Sequence, residues 1–213
     1  MIGLERMTAF INSMDRGNEA WLDELENIAI NDDVPIIRKD TQSLLKFLLG
    51  LKKSKSILEV GTATGFSALL MATYSMPESR ITTIEKYEKR IPIAKDNFAK
   101  YDINNKITLL EGDAAEVLGT LKGKYDFIFM DAAKGQYIFF LPEIIRLLDD
   151  GGILVSDNVL QDGDIIESRF AVTRRNRTIH TRMRDYLYTL KHSDDLETVI
   201  LPVGDGMTLS YKK

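Results

Sequence analysis

The sequence predicts an α/β fold, a mostly parallel, doubly wound sheet of seven strands that ends in an antiparallel hairpin. From Ser56 onward, short apolar runs of strand type alternate with segments of helical periodicity, which implies right-handed βαβ crossovers. The last two apolar runs are joined by Gly204-Asp205-Gly206, a hairpin signature. With 213 residues, the chain can give this sheet a substantial core, but we do not expect a second full domain.

The N-terminal quarter predicts helices that precede the sheet. Apolar residues recur at helical spacing within residues 3–30, which indicates one or two helices. The stretch Asn31-Asp32-Asp33-Val34-Pro35 breaks this pattern, and a further helix is expected from Asp40 to Leu51, with Asp40 as its cap. We therefore expect one domain in which residues 1–52 form a helical cap and residues 53–213 form the core.

The strands and crossover helices follow in order. The predicted strands are Ser56–Val60, Ile81–Ile84, Ile107–Leu110, Phe127–Met130, Ile153–Val155, Thr198–Val203 and Met207–Tyr211. Helical patterns lie between the first five at about 66–75, 87–100, 114–121 and 136–148. This order resembles the Rossmann-like arrangement of class I methyltransferases.

The amino-acid composition excludes several classes of site and indicates where the protein is found. The chain has no cysteine, so disulfides, a thiolate nucleophile and sulfur-ligated zinc are excluded. No apolar run approaches the ~20 residues that span a bilayer, and the N-terminus shows no apolar signal core. The net charge of −4 argues against general nucleic-acid binding, DNA included. We expect a cytoplasmic protein without a membrane partner.

A cofactor site is expected beyond the first three strands. The first strand runs into Glu59-Val60-Gly61-Thr62-Ala63-Thr64-Gly65, a turn in the crevice where such sheets bind ligands. Glu85 follows the second strand and could accept both ribose hydroxyls of a nucleoside. Gly112-Asp113-Ala114 follows the third strand and could bracket an adenine. Each feature also has an ordinary reading, as a tight turn, a helix cap or a solvated loop residue.

The expected cofactor site lacks the sequence motifs that bind phosphates, which favours a nucleoside cofactor without phosphates. The glycine turn departs from the dinucleotide fingerprint because Ala63 occupies the middle glycine position. No Gly-Lys-Ser/Thr loop for a triphosphate is present. S-adenosylmethionine fits these constraints.

Oxygen ligands follow the next two strands. Asp131 ends the fourth strand and Asp157-Asn158 ends the fifth, so adjacent strand tips would place two carboxylates and an amide around one hard cation. An all-oxygen donor set favours Mg²⁺. An acceptor with two neighbouring oxygens could chelate that cation and lose a proton more easily, and Lys134 stands close enough to take the proton. The alternative is that both aspartates are strand-end caps and Lys134 is a surface lysine.

These segments resemble the cation-dependent O-methyltransferases related to catechol and caffeoyl-CoA O-methyltransferases, from about Pro35 to the C-terminus. The resemblance implies that Glu59 and Ser67 contact the methionine part of S-adenosylmethionine near Gly61, and that Glu85 contacts the ribose. It places Gly112, Asp113 and Ala114 at the adenine, Ile37 as an apolar cover and Asp131 among the cofactor-binding residues. It makes Asp131, Asp157 and Asn158 the metal ligands, Asp131 and Lys134 the catalytic pair, and the protein a homodimer.

A basic segment bears on the acceptor. Residues 169–184 hold six arginines and no acid, and the rest of the chain carries −10 instead of −4. Such a stretch suits phosphate contacts, although a solvated helix face or a dimer contact is as plausible.

The segment Asp131-Ala-Ala-Lys134-Gly-Gln-Tyr137 and the arginines also resemble a bacterial subgroup of this family that methylates 5-hydroxyuridine at the tRNA wobble position. The 5-hydroxyl and 4-carbonyl of that base are adjacent oxygens, and an anticodon base is already unpaired. We predict a tRNA anticodon stem-loop as partner, held by Arg174, Arg175, Arg177 and Arg182. Two rivals are a small-molecule enzyme for catechols or hydroxycinnamoyl esters and a non-catalytic cofactor-binding protein. Tyr137 is expected either to line the substrate pocket or to pack in the core, and His180 is expected to be an RNA or interface residue and not a metal ligand.

Overall fold

The computed structural model describes residues 4–213; Gly3, where the first helix was expected to begin, lies outside this range. All seven predicted strands are present in one sheet. They are β1 (Ser56–Val60), β2 (Arg80–Glu85), β3 (Ile107–Glu111), β4 (Tyr125–Met130), β5 (Leu148–Ser156), β6 (Leu196–Leu201) and β7 (Met207–Lys212). The helices of the described chain are α1 (Leu4–Ser13), α2 (Ala20–Asn31), α3 (Lys39–Lys52), α4 (Phe66–Tyr74), α5 (Ile91–Tyr101), α6 (Ala114–Thr120), α7 (Tyr137–Leu147) and α8 (Arg177–Lys191).

The sheet order is β3-β2-β1-β4-β5-β7-β6. Strands β1 to β5 pair in parallel, whereas β7 lies antiparallel between β5 and β6. The chain therefore reverses its winding direction between β1 and β4, and ligands bind in the crevice beyond the strand ends at such a switch point. This confirms the predicted Rossmann-like fold with its terminal hairpin.

Helices cover both faces of the sheet because consecutive strand residues point to opposite sides. Ile57 and Phe127 face a core shared with α2, α3 and α4. Their neighbours Leu58 and Ile128 face a second core shared with α6, α7 and α8. The N-terminal helices α2 and α3 thus pack on the same apolar layer as the sheet.

Several elements differ from the sequence prediction, and two of the differences have a clear physical reason. Strand β5 begins at Leu148 rather than Ile153, because the backbone is already extended over the polar stretch Asp149-Asp150-Gly151-Gly152. That stretch has no apolar pattern from which a strand could be predicted. Helix α8 was not among the predicted helices, although it buries Met183, Tyr186 and Leu190 at helical spacing; the arginines in and before it obscured that signal. None of the helices within residues 4–213 is both long and apolar enough to cross a membrane.

Candidate active site

The carboxyl ends of the parallel strands are held together at one edge of the sheet. Here the backbone ladder extends one residue past the strand ends, through N–H···O bonds of 2.9 to 3.1 Å. The donating amides belong to Gly112, Gly61, Asp131 and Asp157. The residues that the sequence marked as functional are therefore fixed relative to one another by main-chain bonds rather than carried on free loops.

A cavity of about 500 Å³ opens at this edge. It is lined on one side by these predicted cofactor residues: Ile37, Gly61, Ser67, Glu85, Gly112, Asp113 and Ala114. It is lined on the other side by Asp131, Lys134, Asp157 and Asn158. One cavity thus joins the two halves of the predicted site, as transfer between a bound donor and a bound acceptor requires.

Glu85 is the carboxylate at the end of β2, and its oxygens are oriented by three backbone amides. Oε2 accepts from Ala63 N at 2.7 Å, and Oε1 accepts from Lys86 N at 2.9 Å and Tyr87 N at 2.8 Å. A carboxylate has about four acceptor positions, so about one position remains here to accept a hydroxyl group. Glu85 is therefore a preorganised acceptor that ties the glycine turn after β1 to the end of β2.

Glu59, on β1, is fully buried; it does not itself line the cavity, although the next two residues, Val60 and Gly61, do. Thr83 donates a hydrogen bond to its Oε2, whereas Oε1 has no hydrogen-bond partner of good geometry within residues 4–213. Burial raises the pKa of Glu59 to about 7, although the Ser67 and Thr83 hydroxyls favour its charged form. A buried carboxyl with an open acceptor position is suited to a cationic group of a bound cofactor.

Asp113 is a helix cap, one of the ordinary roles expected for it, and it also lines the cavity. Its Oδ1 accepts from Ala115 N at 2.9 Å and so caps α6. Its Oδ2 lies 3.0 Å from Lys86 Nζ. The Ala115 amide and the Lys86 ammonium lower the pKa of Asp113, so the side chain is a fixed anion at the cavity rim.

Asp131, Asp157 and Asn158 converge where β4 and β5 end. The Asn158 Nδ2 donates to Asp131 Oδ1 at 3.0 Å, and the Asn158 amide nitrogen donates to Asp157 Oδ1 at 2.7 Å. Asn158 adopts a left-handed backbone conformation with φ of 59°, which residues other than glycine adopt uncommonly. Backbone strain of this kind concentrates at functional sites.

Burial disfavours the charged form of both aspartates. Burial and the nearby Asp131 carboxylate raise the pKa of Asp157 to about 7. Burial also raises the pKa of Asp131, which Lys134 and Asn158 offset only in part. Residues 4–213 contain no cluster of three His, Cys, Asp or Glu side chains suited to a metal, so the third donor here would be the Asn158 amide oxygen. Two facing carboxylates and an amide fit a small divalent cation.

Lys134 begins a single turn of 3-10 helix, Lys134–Gln136, between β4 and α7. Its side chain lines the cavity next to both aspartates, where the ammonium acts against the rise that burial causes in their pKa values. The structure therefore brings the predicted base, both carboxylates and the amide into one cavity.

The predicted RNA-binding arginines do not line the cavity. Arg174 and Arg175 are exposed on the loop before α8. Arg177 lies over the Phe170 ring, with its guanidinium carbon 5.9 Å from the ring centre. Arg182 lies over Phe139 at 4.8 Å and also donates to the Gly135 carbonyl at 3.2 Å.

Two other residues of the sequence prediction, His180 and Tyr137, are buried. His180 is buried on α8 with Nε2 at 3.0 Å from the Glu167 carbonyl, so it packs inside the protomer. Tyr137 is fully buried behind the strand tips and does not line the cavity.

Asp205, which was not predicted as a site residue, lines the cavity from the turn between β6 and β7. Arg38, another lining residue, forms an ion pair with it. The Asp205 carbonyl also accepts from Leu160 N at 2.9 Å, which secures the loop after Asn158. The sequence Gly204-Asp205-Gly206 is explained by a hairpin turn alone, so nothing in the sequence indicated that Asp205 also reaches the cavity.

Comparison with known proteins agrees with this site. Residues 12–213 match the family described as O-methyltransferase. Caffeoyl-CoA O-methyltransferase 2 of Populus trichocarpa is 33% identical over 184 residues, which cover 80% of this chain and 72% of that protein. Tapetum-specific methyltransferase 1 of Arabidopsis thaliana is 29% identical over 174 residues, 80% of this chain and 75% of the relative.

Solved structures give the same result. The SAH-bound methyltransferase PaMTH1 of Podospora anserina has a TM-score of 0.88 and 27% identity, and the match covers 98% of this chain and 94% of that one. SAH, S-adenosylhomocysteine, is what remains of S-adenosylmethionine after its methyl group has left. The fold, the cavity that joins a nucleoside site to an acidic site, and the match over nearly the whole chain converge on one conclusion. The chain belongs to the O-methyltransferase family and is an enzyme that transfers the methyl group of S-adenosylmethionine to an oxygen atom.

Proposed function

We propose that this enzyme uses a divalent cation, Mg²⁺ first among them, to methylate 5-hydroxyuridine at the wobble position of tRNA in the cytoplasm. The cation site is supported by the convergence of two buried carboxylates and Asn158 in the cavity that Lys134 also lines. An RNA acceptor is supported by the arginine-rich segment 169–184, whose Arg174 and Arg175 side chains are exposed.

The residues divide the chemistry between them. Asp131, Asp157 and Asn158 would hold the cation, which lowers the pKa of an acceptor hydroxyl that it contacts. Lys134 Nζ, in its neutral form, takes the hydroxyl proton. The new bond forms between the acceptor oxygen and the methyl carbon, the bond between that carbon and sulfur breaks, and S-adenosylhomocysteine leaves. Glu59 and Glu85 hold the donor so that the reacting atoms start close together.

Features outside the cavity support an RNA acceptor. Two arginine–aromatic pairs lie on and beside α8, Arg177 with Phe170 and Arg182 with Phe139. The two aromatic rings remain well exposed, Phe170 to 83% and Phe139 to 57%. Unpaired bases stack on exposed aromatic side chains and arginine planes, while free arginines contact phosphates. An anticodon loop offers both unpaired bases and phosphates.

A small-molecule acceptor is the second candidate. Sequence relatives such as the Populus trichocarpa protein are caffeoyl-CoA O-methyltransferases, and catechol-type acceptors also have two adjacent oxygens. In that case the arginines would serve a subunit contact or a phosphorylated substrate.

An acceptor assay separates the two. Purified enzyme is given labelled S-adenosylmethionine and either tRNA from cells that lack the modification or a catechol, each with and without Mg²⁺. The proposal expects label in tRNA at the wobble uridine only with Mg²⁺. Label in the catechol but not in tRNA would reassign the acceptor and leave the cation chemistry intact.

We also propose a homodimer. Helix α1 and the turn residue that follows it leave Met7, Phe10, Ile11 and Met14 at least 46% exposed, and an apolar face of this kind commonly marks an interaction site. Sedimentation of the wild type and of a Phe10→Glu, Met14→Glu variant tests it. A dimer that dissociates in the variant supports the proposal, and a monomeric wild type contradicts it.

A further inference from the structure

Tyr137, the first residue of α7, places its hydroxyl between the tips of β4 and β5. The hydroxyl oxygen lies 3.1 Å from the Met130 carbonyl oxygen and 3.1 Å from the Asp157 carbonyl oxygen. The side chain is fully buried, so the hydroxyl has no contact with bulk solvent. Each of the two carbonyls belongs to the peptide bond that leads into a predicted metal ligand, Asp131 after Met130 and Asn158 after Asp157.

The two carbonyls differ in what else they contact. Met130 O already accepts from Asp157 N at 2.9 Å, as the last bond of the ladder between β4 and β5. Asp157 O lies just past the end of β5, where Asn158 turns the chain into the left-handed region with φ of 59°. A carbonyl at such a break needs a donor from outside the sheet, and the Tyr137 hydroxyl occupies that position.

This turn determines where Asn158 points. Its Nδ2 lies 3.0 Å from Asp131 Oδ1, so the side chains that meet here belong to the residues directly after the two carbonyls that Tyr137 contacts. We propose that Tyr137 is a positioning residue: its hydroxyl fixes the turn at Asn158 and the separation of the β4 and β5 tips, and so preorganises Asp131, Asp157 and Asn158 for a divalent cation. This inference rests on the cation site of the proposed function.

A matched control lies against the same ring. Tyr186 of α8 is also fully buried and meets Tyr137 edge to face, with ring centres 5.5 Å apart. Its hydroxyl lies 2.6 Å from Ser156 Oγ and contacts neither strand-tip carbonyl. Tyr137→Phe and Tyr186→Phe therefore each remove one buried, hydrogen-bonded hydroxyl, but only the first removes a contact to the backbone of the metal ligands.

The test measures Mg²⁺ binding by calorimetry, in the presence of saturating S-adenosylhomocysteine, for the wild type and both variants. Removal of a group that orients metal ligands typically costs roughly 10- to 100-fold in metal affinity. We expect such a loss for Tyr137→Phe, a change within about twofold for Tyr186→Phe, and equal S-adenosylhomocysteine affinity in all three proteins. Equal Mg²⁺ affinity in Tyr137→Phe and wild type, or equal losses in the two variants, would overturn the inference while the cation site stands. A wild type that binds no Mg²⁺ would instead overturn the proposed cation chemistry itself.

A second variant covers the case in which Tyr137→Phe does not fold. 4-Aminophenylalanine at position 137 has the same ring and restores N–H donors near the hydroxyl position. We expect it to keep Mg²⁺ affinity within about threefold of the wild type. Weak Mg²⁺ binding by this folded variant, with intact S-adenosylhomocysteine affinity, would contradict a positioning role for the hydrogen bond.

Discussion

Gly61 and Asp131 approach so closely that no side chain fits between them. A Cβ built on Gly61 would lie 2.2 Å from the Asp131 carbonyl oxygen, and Gly61 has a φ of 105°, a conformation that strongly favours glycine. The turn that carries the predicted donor site therefore packs directly on the strand tip that carries a predicted metal ligand. This contact places the two halves of the site next to each other.

Gly61→Ala should destabilise the protein and weaken donor binding together. The new Cβ must displace the Asp131 backbone and also strains the turn, so we expect the free energy of unfolding to fall by at least about 2 kcal/mol. Gly50→Ala on α3 is the control, because a Cβ there meets nothing within 4 Å and should stabilise the helix by about 0.5–1 kcal/mol. Urea denaturation and S-adenosylhomocysteine binding measure both effects. A Gly61→Ala protein as stable as the wild type would show that the contact is not rigid.

Glu59→Gln should make stability less dependent on pH. Because burial raises the pKa of Glu59 from 4.5 to about 7, the folded state keeps a proton that the unfolded state loses between these values. This contribution therefore lowers stability as pH rises through that window, and the loss is complete above pH 7. Relative to the wild type, the variant should gain about 2–3 kcal/mol in unfolding free energy between roughly pH 5 and pH 8.

The control for this experiment is Glu197→Gln on β6, an exposed position. Its stability should follow the wild-type pH curve throughout. If the Glu59→Gln and wild-type curves ran parallel as well, Glu59 would not be the carboxyl that titrates in this window.

Lys134→Ala should slow methyl transfer without loss of ligand binding. Removal of a positioned general base typically lowers kcat about 10²- to 10⁴-fold, and we expect Mg²⁺ and donor affinities near those of the wild type. Lys86→Ala removes another lysine that lines the cavity, one that pairs with Asp113. It should affect donor affinity more than kcat. Similar kcat losses in the two variants would indicate a general charge effect and not proton transfer by Lys134.

Arg174→Ala combined with Arg175→Ala should weaken tRNA binding and lower the slope of log affinity against log salt by about 1–2. Cofactor affinity should not change, because neither arginine lines the cavity. The control pair is Lys55→Ala with Lys122→Ala. Both lysines are exposed and precede β1 and β4, at the opposite edge of the sheet. An unchanged RNA-binding curve in the arginine variant would reassign the segment to structure.

The sequence predicted the fold well where a simple periodicity decides the structure. Strand β1 matches its expected bounds, Ser56–Val60. Its last four residues are buried without interruption, and Glu59 is the one polar residue among them. Helix α8 was missed because six arginines in and before it suggested a surface segment, while Met183, Tyr186 and Leu190 supplied the apolar face. A strong charge signal thus concealed a weaker helical one.

The candidate site was predictable to the level of strand ends and no further. Asp131 and Asp157 end adjacent apolar strands, and parallel strands must end at the same edge, so their proximity follows from topology. The sequence could not show that Tyr137 contacts the Asp157 carbonyl or that Arg182 donates to Gly135. Those contacts depend on how α7 and α8 pack on the sheet, and local pattern does not encode that packing. Asp205 reaches the cavity for the same reason, through the docking of the hairpin turn.

The central claim is that Asp131, Asp157 and Asn158 hold one divalent cation beside the methyl donor and that methyl transfer needs it. The most direct test is the rate of methyl transfer to the acceptor before and after treatment with excess chelator. We expect the rate to fall by at least about a hundredfold and to recover when Mg²⁺ is added back, with no recovery in Asp157→Ala. Methyl transfer at the full rate in the chelator would contradict the account.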